Sequence, residues 1–207
     1  MVMARTTARK FWTHDEMLAE LPETAQPFEL WDGEIVKSPS PHPNHQRIVL
    51  RFCERLSRFV AGRKLGEVFV SPLDVVLSPR RVVQPDVFFI SHRRKDIVKD
   101  YIRGVPDLAV EIISEGTWER DRVAKRSLYE QFRLPEYWIV DPESRTIEVF
   151  ALVGGSYQVH SRGQGKEQVS SRLLKGFKLT FEDLETQPDP RKLAELRARA
   201  PKDSRTL

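Results

Sequence analysis

The chain has 207 residues, 40% hydrophobic and 31% charged, with a formal net charge of +4. One globular domain with a sizeable core fits these numbers, and the mild basicity is compatible with nucleic acid without requiring it. The single cysteine, Cys53, excludes an internal disulfide and fits a reducing, cytoplasmic setting; no signal-peptide h-region or membrane-length apolar run is present.

Residues 1–10 are basic and polar and read as a flexible arm. Thr13 and Glu16 form a capping-box pattern that predicts a short helix, ended by Pro22. FELWDGEIV (28–36) places Asp-Gly between strand-forming residues, a strong hairpin signal. SPSPHPN (38–44) is a Pro-rich loop. From Asn44 to Ala61, Ile48, Val49, Phe52, Leu56, Phe59 and Val60 make one helical stripe, with Cys53 in the core and Gly62 and Gly66 beyond its end.

EVFVS (67–71) and DVVLS (74–78) are predicted strands broken by Pro72. VVQPDVFFI (82–90) is the next strand, with Pro85 at its start or at a bulge. Residues 91–104 are charged and read as a loop with some helical character. DLAVEIIS (107–114) is a nearly continuous apolar run, as in a strand buried on both faces. EGTWERD (115–121) is a loop leading to a helix over 121–133. EYWIVDP (136–142) is another central strand, and TIEVFALV and SYQVHS form a hairpin around Gly154-Gly155. An edge strand is expected after Gly165. Residues 188–207 are polar and read as a fraying helical tail. The expected domain is 11–187, a mixed α+β fold: a central mixed sheet flanked by helices, with an N-terminal hairpin. Residues 44–141 follow the α-β-β-β-α-β order of a restriction-nuclease-like core.

Lys125 shares a helical face with Leu128, Tyr129 and Phe132. That stripe should face the interior, where an ammonium needs an anionic partner, a wet cleft or an anionic ligand. Glu111 lies among Leu108, Ala109, Val110, Ile112 and Ile113, and a carboxylate in a buried strand is costly unless paired or metal-bound. Asp86 begins a strand that could neighbour it. Two carboxylates and a lysine in one cleft are the equipment for metal-dependent phosphodiester hydrolysis. The plainer alternatives are a structural salt bridge from Glu111 to Lys125 or an arginine, and a snorkelling Lys125.

These segments, with HPNHQRIVLRF, GVPDLAVEIIS, the D-x-x-x-K-x-x-x-Y spacing of Asp121, Lys125 and Tyr129, and EYWIVDP, resemble the Uma-type restriction-endonuclease family of the PD-(D/E)XK nuclease superfamily. The resemblance spans about residues 28–150. It implies the restriction-nuclease-like fold and a divalent metal, Mg²⁺ or Mn²⁺, held by Asp86 and Glu111. The superfamily lysine stands two residues after the Glu, where this chain has Ile113; Lys125, on the following helix, is the matching residue. Glu29 matches an acidic position of the family and is a further candidate.

His45, in register with Val49 and Phe52, is a candidate for contact with phosphate or with metal-bound water; a capping or core role is the alternative. Asp107 reads as structural, and Asp121 as a partner for Lys125 or a cap for its helix. Arg93, Arg94, Lys95, Lys99 and Arg103 could track phosphates, as could the basic residues of the tail. The resulting expectation is a metal-dependent DNA endonuclease, with a homodimer serving two strands. The alternatives are a catalytically silent module binding nucleic acid or a protein partner, and a hydrolase of another phosphate ester such as RNA.

Overall fold

The computed structural model describes residues 10–21, 28–37, 41–114 and 120–185, without the side chains of 120–122. The expected N-terminal arm, apart from Lys10, the C-terminal tail, Pro22 and the 115–119 loop lie outside the described residues.

Helix α1 (His14–Glu20) carries the expected capping box. Thr13 Oγ1 accepts from the Glu16 amide at 3.3 Å, and Glu16 Oε2 accepts from the Thr13 amide at 2.8 Å. Strands β1 (Phe28–Trp31) and β2 (Glu34–Lys37) form the Asp-Gly hairpin. Asp32 and Gly33 both take positive φ, 50° and 87°, as a two-residue turn matched to strand twist requires. Helix α2 (Pro43–Ala61) buries Ile48, Val49, Phe52, Leu56 and Val60. Cys53 is half-buried against that core rather than inside it.

Beyond α2 the chain alternates between two sheets. The strands are β3 (Gly66–Val70), β4 (Val75–Ser78), β5 (Arg81–Val83), β6 (Val87–Ser91), β7 (Ile102–Arg103), β8 (Leu108–Ile112), β9 (Glu136–Asp141), β10 (Thr146–Val153) and β11 (Ser156–Gln164). A six-stranded sheet has the order β11-β10-β9-β8-β6-β3, and a five-stranded sheet the order β2-β1-β5-β4-β7. Among the described residues, only β8 with β9 is parallel in the first sheet, and only β4 with β7 in the second.

The expectation of one central sheet is therefore refined. The segment read as one strand over 82–90 is two, β5 in the smaller sheet and β6 in the larger, with Gln84, Pro85 and Asp86 crossing between them. Pro85 has no N–H for a ladder, so the strand breaks there. β3 and β4, on either side of Pro72, likewise belong to different sheets. The core order α-β-β-β-α-β is met by α2, β3, β6, β8, the helical segment after β8, and β9. Strands β4, β5 and β7 form an inserted layer.

Helix α2 packs on one face of the large sheet, joined by Trp138, Phe177 and Phe181. The other face carries Phe88, Ala109, Tyr137 and Ile139, covered by Leu128 and Tyr129 and by Val75, Val83 and Ile102 of the smaller sheet. The segment holding Lys125 is a π-helical stretch (Arg120–Lys125) running into α3 (Arg126–Gln131), where a continuous α-helix was expected. Such wide turns recur at functional positions. The expected strand after Gly165 is instead a separate two-stranded ribbon, β12 (Val169–Ser170) and β13 (Lys178–Leu179), before α4 (Glu182–Glu185). No described helix is long and apolar enough to cross a membrane.

Candidate active site

Lys125 is buried, 3% exposed, where its helical face meets the junction of the two sheets. Its Nζ lies 3.0 Å from Glu29 Oε1 and 2.9 Å from Glu111 Oε2. Glu29 comes from β1 of the smaller sheet, and Glu111 from β8 in the centre of the larger. Both carboxylates are only 2% exposed. Two carboxylates around one ammonium offset part of the cost of burying these groups together.

The remaining oxygens are also held. Tyr129 OH donates to Glu111 Oε1 at 2.8 Å. Trp31 Nε1 donates to Glu29 Oε2 at 3.0 Å, and the Gln84 amide donates to Glu29 Oε1 at 3.2 Å. Burial, then the charge of Glu111, pushes the Tyr129 hydroxyl well above the ordinary tyrosine range. It therefore stays a donor at neutral pH. Lys125 and Tyr129 stand four residues apart on one helical face, so a single element supplies both groups that grip Glu111.

Asp86 stands beside this network. Val87 pairs with Val110 in the antiparallel β6–β8 register, which puts Asp86 one step further, opposite Glu111. Asp86 Oδ2 accepts from the Ile112 amide at 2.8 Å and lies 3.2 Å from His45 Nε2. A carboxylate only accepts, so His45 carries its proton on that nitrogen. His45 comes from the first turn of α2, which brings the two expected residues into one pair.

An open cleft of about 630 Å³ adjoins this pair, lined by His42, Asn44, His45, Ile113, Ser114 and Asp141 among others. It lies at the carboxyl ends of the parallel strands β8 and β9 and at the amino end of α2. The first turn of α2 has no acidic residue, and its N-cap, His42, makes no side-chain cap bond. Helix amino ends of this kind favour anions.

The other sequence candidates fall elsewhere. Asp107 Oδ2 accepts from the Ser91 amide at 2.7 Å, a structural role as expected. The side chain of Asp121 lies outside those described. The basic stretch from Arg93 to Lys99 follows the far end of β6, a five-residue strand, so it starts roughly 15 Å from Asp86. It is a separate surface, not a wall of the cleft. Sequence reading gave no role to Trp31 or Gln84. Trp31 lies two residues from Glu29 on the same strand face, a usable signal. Gln84 acts through its backbone, which leaves none.

Comparison with known proteins bears on the family and the fold. The family model Uma2, described as "Putative restriction endonuclease", matches residues 15–182. The fold is similar to that of a solved structure described as "a putative nuclease belonging to DUF820 from Anabaena variabilis ATCC 29413". The TM-score is 0.69 at 21% sequence identity, covering 83% of this chain and 96% of that one. No curated protein matches the chain.

Proposed function

The chain belongs to the Uma2 family, described as "Putative restriction endonuclease", and from that premise we propose a divalent-metal-dependent endonuclease that hydrolyses phosphodiester bonds of DNA. Asp86 and Glu111 are the metal-binding carboxylates, and Lys125 is the assisting cation. The observation that carries this reading is the buried Lys125 at 2.9 Å from Glu111, one strand away from Asp86.

The oxygen chemistry of the two carboxylates suits a hard divalent cation. Among the described residues no three His, Cys, Asp or Glu side chains group as a metal site. Mg²⁺ commonly takes only one or two carboxylates and completes its shell with water and substrate phosphate. Hard carboxylate oxygens match Mg²⁺ or Mn²⁺ rather than a soft-ligand metal. A bound cation supplies Lewis-acid stabilisation of charge on the phosphate.

The chain's own groups do the rest. Lys125 fixes the orientation of Glu111 and sets a positive charge where negative charge grows in the transition state. Glu29 is a positioning residue that holds Lys125 from the opposite sheet. His45 orients Asp86 and lines the cleft. The amino end of α2 favours the phosphate. Two DNA strands call for two such sites, hence a homodimer, and the single cysteine suits a cytoplasmic setting. The test is conversion of supercoiled plasmid to nicked circles with Mg²⁺ or Mn²⁺, with chelator as control.

A second reading has its own support. Both oxygens of Glu111 are engaged, and Lys125 is sealed from solvent, as in a purely structural ion network. A catalytically silent module binding nucleic acid or a protein would look the same at these residues. Such a module shows no metal-dependent thermal shift, whereas the endonuclease does.

A further inference from the structure

His14 and Asp74 take no part in the site above, yet an unbroken series of polar contacts joins them to Lys125. His14 opens α1 and is 1% exposed. Its Nε2 donates to Asp74 Oδ2 at 3.0 Å, since a carboxylate can only accept. Gln84 Nε2 donates to the other oxygen, Asp74 Oδ1, at 2.7 Å. The backbone N–H of the same Gln84 donates to Glu29 Oε1 at 3.2 Å. That oxygen is the one 3.0 Å from Lys125 Nζ.

We infer that the His14–Asp74 pair is a positioning element for Lys125, acting through Gln84 and Glu29. This rests on reading Lys125 as part of a nuclease site. Gln84 lies in the crossing between β5 and β6, outside both ladders. Its peptide is therefore oriented by what holds its side chain and by what its N–H meets. Asp74 holds the side chain, and Glu29 receives the N–H. Glu29 Oε2 is occupied by Trp31, so the Gln84 contact sets the remaining oxygen, the one that grips Lys125.

Asp74 is kept in place by His14. The terminal torsion of an aspartate is broad, and without a donor on Oδ2 the carboxylate can turn away from Gln84. The His14 ring is itself fixed, edge-on to Tyr101 at 4.9 Å between centroids. Its Nδ1 makes no hydrogen bond among the described residues; Asp15 Oδ1, 3.8 Å away, is paired with Arg103 at 3.3 Å. Groups bonded directly to metal ligands typically tune a site by about 10–100-fold, and the lower end is the scale for a partner this remote.

The experiment reads the Lys125 ammonium by ¹⁵N NMR in the full chain, assigned by its loss in Lys125→Arg, together with plasmid nicking. His14→Ala removes the donor, and His14→Gln returns an amide N–H to a similar place. The expected result is a displaced Lys125 signal in His14→Ala and about a tenfold lower kcat with KM little changed, both largely restored in His14→Gln. If His14→Ala does not fold, Asp74→Asn, which replaces one acceptor oxygen with a donor, is read in the same way. An unmoved Lys125 signal in a folded variant overturns the inference, as does equal displacement in His14→Gln and His14→Ala. The NMR signal does not depend on cleavage. Absence of nicking in the native protein removes the nuclease reading and leaves the coupling to be decided by the spectra.

Discussion

Lys125 joins the two sheets of this protein through a single ammonium, 3.0 Å from Glu29 Oε1 on β1 and 2.9 Å from Glu111 Oε2 on β8. Each carboxylate depends on the same cation. The site and the seam between the sheets are therefore one object, and changes at it should be read in both stability and activity.

Lys125→Met leaves two buried carboxylates facing each other. Loss of one member of such a network typically costs about 3–5 kcal/mol, which urea unfolding measures. Adding Glu29→Gln to Lys125→Met should recover part of that loss, because one of the stranded charges is gone. A Lys125→Met protein as stable as the native one would mean that the ammonium is not paired as described.

Tyr129 gives a pH signature. Its folded-state hydroxyl is raised well above the ordinary value by burial and by Glu111, and burial raises Tyr157 as well. The unfolded chain ionises both near pH 10, while the folded chain keeps its protons. Above that pH the unfolded state binds fewer protons, so stability falls as pH rises. Below it, the contribution is fully present. Urea unfolding at several alkaline pH values should show this fall, and Tyr129→Phe should make it shallower. An equal slope in native and variant would contradict the assignment.

Glu136 supplies a contrast with Glu111. It is buried, and its oxygens accept from Trp138 Nε1 at 2.8 Å, Ser171 Oγ at 2.6 Å, and the amides of Arg172 and Leu173 at 2.7 and 2.8 Å. No lysine is needed, since four donors satisfy it. Glu136→Ala strands those donors, and each unsatisfied group costs about 1–3 kcal/mol. The expected phenotype is a marked drop in Tm, with nicking per folded molecule retained. Loss of nicking without loss of stability would place Glu136 in the chemistry, against this account.

Metal binding is separable from cleavage. Mn²⁺ should raise the Tm of the native protein, since a ligand that binds only the folded state stabilises it. The shift should vanish in Asp86→Asn and in Glu111→Gln and persist in Glu136→Gln. Equal shifts in all four proteins would show that the ion binds elsewhere.

Much of this was legible before the fold. The stripe of Lys125, Leu128 and Tyr129 and the lone Glu111 in an apolar run each announced a buried charge, and the two charges meet. The Asp-Gly hairpin and the Thr13–Glu16 cap follow from local chemistry and appear as expected. The division of residues 82–90 between two sheets was not legible, because a Pro within an apolar run marks a break without saying where the chain goes next. Nothing in the spacing of residues 120–125 announced the π-helical turn that ends at Lys125. The contact of His14 with Asp74 joins residues sixty positions apart, and Gln84 works through a backbone N–H that every residue but proline carries.

The most direct measurement is nicking of supercoiled plasmid with Mg²⁺ or Mn²⁺ by the native protein, Glu111→Ala and Lys125→Ala, each checked for folding. Metal-dependent nicking by the native protein, abolished in both variants, is the expected result. Nicking that survives in folded Lys125→Ala, or a native protein that folds and binds Mn²⁺ but never nicks, would contradict the assignment of Lys125 to a DNA-cleaving site.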